Sequence, residues 1–150
     1  NLEEDNFGKF WQTVRESKPI DLDFRLDSLE SVIQKIAKKN PQKGIYGGRG
    51  WANYVTTYFN DVQRFFELFR DKMKRKCTMV WVLGNSVIQG VEVSTDRFVG
   101  RIAELTGFKL DHTSKLRTKR VGSSIVNTQL RTKAAKPTEL YDAAVIITKE

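Results

Sequence analysis

A polar break, Gly84-Asn85-Ser86, follows the apolar run Val80 to Leu83. The run is rich in β-branched and aromatic residues, and a helix with an N-cap signal at Thr95 begins about ten residues later. This pattern predicts a buried strand that leads into a loop and then into a helix. In α/β sheets such a loop lies at the carboxyl end of its strand, where ligands bind, so Asn85 and Ser86 are candidate site residues. A turn that simply needs Gly and Asn is the alternative interpretation.

Basic residues are concentrated between positions 109 and 136. This window contains eight Lys and Arg residues and only Asp111 as an acidic residue, so it contributes +7 to a chain of net charge +8. Like charges at this density on paired strands repel one another unless a polyanion neutralises them. Contact with phosphate groups is therefore predicted. A second basic run, residues 70–76, ends a predicted helix, where the helix dipole favours cations without a ligand. The candidate phosphate-binding residues of the window are Arg117, Lys119, Arg120, Arg131 and Lys133.

The segment 42–50 contains four glycines and few residues that could anchor it. It is predicted to be a loop that can move or adapt to a ligand. Within it, Tyr46 could stack on a base and Arg49 could bind a phosphate. A flexible loop without a ligand remains the alternative. The boundary between a helical insertion, residues 1–50, and a core domain, residues 51–150, is predicted at this loop.

The surrounding elements are predicted from periodicity and from end signals. Residues 1–24 indicate a short helix and then an extended stretch, and helical spacing continues from Asp27 to Asn40. A long helix over residues 51–74 carries a wide apolar stripe, which belongs either to the core or to a contact with a missing half of the protein. The helix at Thr95 is predicted to be capped by Thr95 with Asp96 and to end at a left-handed Gly107. The strands 108–117 and 141–148 are predicted to pair antiparallel.

The composition is that of a compact, soluble domain. The chain has 150 residues, of which 39% are hydrophobic, and can bury one core. No apolar stretch approaches a membrane span, and the first residues are too acidic for a secretory leader. The single Cys77 excludes an internal disulfide, fits a reducing compartment and is expected to be buried. One cysteine and one histidine, His112, are too few for a zinc site, so we expect a cytoplasmic protein without a metal or a membrane partner.

Several segments stand in a distinctive order along the second two thirds of the chain: Tyr58-Phe59-Asn60-Asp61, Leu83-Gly84-Asn85-Ser86, Gly90-Val91, Ile102-Ala103-Glu104, Thr106-Gly107-Phe108, and Leu116 to Val121. In this order and spacing, residues 51–150 resemble the carboxyl-terminal half of S-adenosylmethionine-dependent DNA methyltransferases that modify an exocyclic base amine (N4 of cytosine or N6 of adenine). The resemblance implies an α/β fold, the last part of a Rossmann-like class I methyltransferase sheet. Its order would be strand-helix-strand-strand with an antiparallel final hairpin, preceded by two helices.

The resemblance also implies roles for the candidate residues. Asn85 and Ser86 would form part of the wall of the pocket for the target base, and the basic residues would contact the backbone of double-stranded DNA. The complete enzyme would use S-adenosylmethionine as cofactor. A duplex base must rotate out of the helix before its amine can be methylated.

The chain departs from the family at two motifs. It contains neither the glycine-rich Phe-x-Gly-x-Gly turn that binds the cofactor nor the Pro-Pro-Tyr/Phe loop that holds the amine, and its prolines are isolated. We therefore expect a fragment, a cleavage product, a separate subunit or a degenerate copy of such an enzyme. This chain alone should bind no cofactor and should need its missing half or a partner chain, or else self-associate.

Two alternatives of other classes remain open from the sequence. The chain could be a non-catalytic nucleic-acid-binding module, in which the basic residues and the glycine loop do the binding. It could also be a partner subunit that completes a split methyltransferase by docking its aromatic stripe on a second chain.

Overall fold

The computed structural model describes residues 6–16, 18–119 and 138–150. The chain forms two compact units, residues 1–67 and residues 68–150, and the fold is mixed α/β. The units divide inside a helix, whereas the sequence prediction placed its boundary near residue 50. That prediction concerned which residues belong to a methyltransferase-like domain, and it stays a prediction.

The first unit is helical. It contains a short helix α1 (Trp11–Val14), helix α2 (Asp27–Ala37), a 3-10 helix (Pro41–Tyr46) and most of helix α3 (Gly48–Lys72). Both long helices were predicted, α2 because its apolar residues recur at helical spacing until Asn40-Pro41. The core consists of their apolar faces, with the fully buried side chains Leu29, Ile36, Phe59, Val62 and Phe66.

The glycine-rich segment is not a mobile loop, and this corrects the sequence prediction. Gly48 and Gly50 lie in the first turn of α3, and both glycines are buried. A Cβ on Gly48 would collide with the carbonyl oxygen of Ile36, and one on Gly50 would collide with the carbonyl oxygen of Ile45. These glycines are therefore needed because the end of α2 and the 3-10 helix pass directly against the start of α3.

The second unit contains a three-stranded antiparallel sheet. Its strands are β1 (Thr78–Gly84), β4 (Lys109–Thr118) and β5 (Tyr141–Thr148), in the order β1-β5-β4. The predicted antiparallel pairing of the last two strands is confirmed, with Arg117 opposite Asp142. Because β5 is antiparallel to both neighbours, β1 and β4 run in the same direction. Helix α4 (Thr95–Leu105) connects them and buries Val99 and Ile102.

A small hairpin lies between β1 and α4 where the sequence predicted a loop. Strands β2 (Ser86–Ile88) and β3 (Val91–Val93) pair antiparallel. The two residues between them, Gln89 and Gly90, have φ angles of 52° and 76°. Two successive positive φ angles are what a tight two-residue hairpin turn requires. The Gly90-Val91 segment therefore forms a turn and the start of a strand.

Three further expectations are wrong. Strand β1 is not buried on both faces, because Val80 and Val82 are 56% and 67% exposed. Cys77 precedes β1 and is exposed. Helix α4 has no side-chain cap, since its N-cap residue is Ser94 and the Ser94 side chain makes no capping hydrogen bond.

The predicted left-handed end of α4 is confirmed: Gly107 has a φ of 90°, and the Phe108 amide donates to the Ala103 carbonyl at 3.0 Å. In the described part of the chain, no helix is both long and apolar enough to cross a membrane.

Candidate functional site

Asn85 links the strands and the hairpin at one end of the sheet. Its side chain is buried, and Nδ2 donates to the Glu92 carboxylate at 3.0 Å and to the Glu139 carbonyl oxygen at 2.9 Å. Its Oδ1 accepts from the Tyr141 amide at 3.0 Å. Asn85 follows β1, Glu92 lies on β3, and Tyr141 begins β5, so one amide joins three segments. An Asn side chain has two N–H donors, and both are used inside the protein.

Tyr141 continues this network to helix α4. Its hydroxyl donates to Asp96 Oδ1 at 3.0 Å, and Asp96 is buried in the first turn of the helix. A carboxylate there is favoured by the positive end of the helix dipole. Loss of hydration, together with the hydrogen bond to Asp96, raises the pKa of the Tyr141 hydroxyl to about 12. The Lys115 ammonium lies 5.1 Å from the centre of the Tyr141 ring.

Ser86 differs from its neighbour Asn85, since its side chain is exposed. Within the described residues its hydroxyl has no hydrogen-bond partner, so it is available to a ligand. Of the two residues predicted to line a base pocket, one is a buried structural residue and the other lies at the surface. Their role in a pocket stays a prediction.

Asp142 holds two of the predicted DNA-binding side chains. Arg117 Nε lies 2.8 Å from Asp142 Oδ2, and Lys119 Nζ lies 2.8 Å from Asp142 Oδ1. The Asp142 side chain is only 15% exposed, whereas that of Arg117 is 75% exposed. The hydrogen bond from Lys119, and to a smaller extent the one from Arg117, lowers the pKa of the Asp142 carboxylate. Two cations share one carboxylate here, so one positive charge remains in excess.

The structure adds acidic partners to the basic window, which in sequence contains only Asp111. The acids lie beyond its end at position 136: Lys115 pairs with Glu139, and Lys109 Nζ lies 3.4 Å from a Glu150 carboxylate oxygen. Strand β5 and its flanking residues supply these acids opposite β4. Among the described basic residues of the window, the uncompensated charge is therefore localised at Arg117 and Lys119.

The other candidates lie elsewhere. Arg120, Arg131 and Lys133 fall outside the described residues. Arg49 lies in the first turn of α3, in the first unit, and its side chain is exposed.

The net charge is distributed unequally between the two units. Residues 1–67 contain ten basic and ten acidic residues, whereas residues 68–150 contain sixteen basic and eight acidic residues. The whole net charge of the chain therefore belongs to the second unit, where a polyanion would be attracted.

Sequence reasoning missed Asp142, Glu139 and Tyr141. A signal was present for Arg117 and Lys119, which alternate along the chain and both reach Asp142, whereas a register shift between Lys115 and Arg117 interrupts the alternation before them. The residues that face them became known only with the register of β5 against β4. Among the residues the structure describes, no three His, Cys, Asp or Glu side chains form a group that could hold a metal ion.

Comparison of the chain with protein-family models, with curated proteins and with solved structures finds no match.

Proposed function

We propose that this chain is part of a site-specific DNA methyltransferase that transfers a methyl group from S-adenosylmethionine to an exocyclic base amine. The segment contributes contacts to the DNA backbone and part of the wall of the target-base pocket. The observation that carries the proposal is the order β1, α4, β4, β5 with an antiparallel final hairpin. This is the order that the sequence resemblance implies for the last part of the methyltransferase sheet.

The charge arrangement supports a DNA contact in the second unit. Arg117 is exposed, lies near the end of β4 and shares its single acidic partner with Lys119. Phosphate contacts position a protein on DNA without reading its sequence, and exposed Arg and Lys side chains make most of them. The excess charge at this pair makes it the best-supported phosphate contact in the described part of the chain.

The position of Asn85 supports an indirect role in the base pocket. With both donors used, Asn85 fixes the path from β1 into the β2–β3 hairpin, and this places the exposed hydroxyl of Ser86 at the end of β1. In this proposal Asn85 is a positioning residue, and Ser86 is the group that contacts the extruded base.

The glycine-rich segment does not fit a site for S-adenosylmethionine. The glycines between positions 47 and 50 are not a cofactor cradle, because backbone carbonyl oxygens of α2 and of the 3-10 helix occupy the space beside Gly48 and Gly50. In this proposal the cofactor and the groups that hold the amine belong to another part of the enzyme. The chain alone should neither bind S-adenosylmethionine in calorimetry nor transfer a methyl group to DNA.

The proposal is tested with a fluorescent DNA duplex and a second duplex that differs by one central mismatch. Extruding a base costs a few kcal/mol, and less at a mismatch, so a segment with a base pocket should bind the mismatched duplex more tightly. We expect Ser86→Ala to reduce this preference, whereas the matched variant Ser114→Ala on β4 should retain it. Equal affinity of the wild-type chain for both duplexes would argue against a base pocket.

A non-catalytic nucleic-acid-binding module is the second candidate. The use of both Asn85 donors inside the protein favours it, because a buried and satisfied amide cannot read a base. Such a module would bind both duplexes equally and would still lose affinity as salt is raised. The mismatch experiment therefore separates the two candidates.

A further inference from the structure

A cavity of about 630 Å³ lies in the first unit, between the extended segment 20–25, helix α2 and helix α3. Its size is typical of a small-molecule site. Ile20, Leu22 and Ile33 supply apolar lining, and Phe24 adds an aromatic ring. The segment 20–25 is fixed beside α3, because the Asn60 side chain donates to the Asp21 carbonyl oxygen and accepts from the Asp23 amide. The cavity is thus formed by a stretch of backbone that is held in place.

Acidic side chains dominate the charge of the cavity. Four acidic residues, all exposed, line it, and only one of them forms an ion pair in the lining: Asp27 lies 3.1 Å from Arg25. In the part of the chain that the structure describes, the carboxylates of Asp21, Asp23 and Glu30 form no ion pair. Three acidic residues without an ion pair therefore line a cavity in a chain whose net charge is +8, and Arg25 is close enough to Glu30 to attract it.

Thr56 provides an independent polar group at the same cavity. It lies on α3 and is 1% exposed, and its hydroxyl has no hydrogen-bond partner among the described residues. A buried polar group without a partner costs stability, so such groups commonly mark a place where another molecule completes the hydrogen bonding.

We propose that this cavity binds a linear aliphatic polyamine. The ammonium groups would pair with Asp21, Asp23 and Glu30, and the methylene chain would lie on the apolar lining. An extended cation fits better than a single metal ion, because no three carboxylates of the described residues converge on one point. Apolar lining between separated carboxylates matches a ligand that alternates charge and hydrocarbon.

The test uses the wild-type chain without DNA, so its outcome does not depend on the proposed function. Calorimetric titration with spermidine should show saturable binding at low salt. The double variant Asp23→Asn with Glu30→Gln should bind spermidine about tenfold more weakly, since each exposed ion pair contributes modestly. Glu67→Gln is the matched control, because it removes an exposed carboxylate of the same unit outside the cavity, and it should leave the affinity unchanged.

A compact trication distinguishes this site from simple charge neutralisation. Hexaamminecobalt(III) has the same charge as spermidine but no methylene chain, and it should bind several-fold more weakly. Thr56→Val, which keeps the shape of the side chain and removes its hydroxyl, should weaken spermidine binding about threefold. Absence of saturable spermidine binding, equal affinity for hexaamminecobalt(III), or an unaffected double variant would each overturn the proposal.

Discussion

Replacing Asp142 by Asn should strengthen the binding of DNA. The carboxylate accepts from both Arg117 and Lys119, with both N–O distances at 2.8 Å. A phosphate that approaches these two cations must therefore compete with Asp142 and is repelled by it. The Asn side chain has nearly the same shape, so the substitution removes the charge and leaves the pairing of β4 with β5 in place.

The size of the effect follows from the geometry. A phosphate oxygen bound by Arg117 would lie about 5 Å from the carboxylate, and screened repulsion at that distance in water corresponds to roughly a twofold change in affinity. If the freed lysine reaches one additional phosphate, the slope of log affinity against log salt should steepen by about 0.9. Because the pKa of Asp142 is lowered, its carboxylate is charged at neutral pH and this difference should appear there.

Fluorescence anisotropy with a duplex of arbitrary sequence, repeated over a range of salt concentrations, measures both quantities. The matched control is Glu104→Gln, which removes an equal charge from the same unit, where Glu104 pairs with Arg101 on α4 at 2.8 Å. We expect the control to change affinity only slightly. If Asp142→Asn and Glu104→Gln have the same effect, only net charge matters and DNA does not contact Arg117 or Lys119.

Asn85→Ala should destabilise the chain by about 2–4 kcal/mol in urea unfolding, because it leaves buried hydrogen-bonding groups unpaired. Ser86→Ala should change stability by less than about 0.5 kcal/mol. Equal effects of the two substitutions would contradict the assignment of Asn85 as the buried side chain that joins β1, β5 and the hairpin. Gly48→Ala should lower the free energy of unfolding by more than about 2 kcal/mol, because the added Cβ meets backbone that cannot move away. In Gly44→Ala the added Cβ meets no atom, so the loss should be about 1 kcal/mol, caused by the positive φ. If Gly44→Ala were the more destabilising of the two in thermal unfolding, the junction between α2 and α3 would not be tightly packed. Folding raises the pKa of Tyr141 from 10.0 to about 12, so the contribution of its proton to stability should be complete below pH 10 and lost as pH rises towards 12. Tyr141→Phe should reduce this alkaline loss, and an unchanged pH profile of stability would refute the raised pKa of Tyr141.

The sequence by itself determined the elements whose patterns are local. Helices α2 and α3 follow from apolar residues at helical spacing, and the end of α4 follows from Gly107, because only a left-handed residue closes that type of cap easily. The antiparallel pairing of the last two strands was also predictable. The concentration of basic residues near β4 is a property of composition and needs no coordinates.

Only the tertiary structure decided which groups those residues meet. Asp142 and Glu139 are more than twenty positions from Arg117 and Lys115 in sequence, and the register of β5 makes them partners. The glycines of the α2–α3 junction look like a flexible loop in the sequence, yet close backbone packing requires them. Asn85 looks like a ligand-binding residue, yet its amide is used to join β1, β5 and the hairpin. In each case the local pattern shows that a small or polar side chain is needed, whereas its partner comes from a distant segment that only folding brings near.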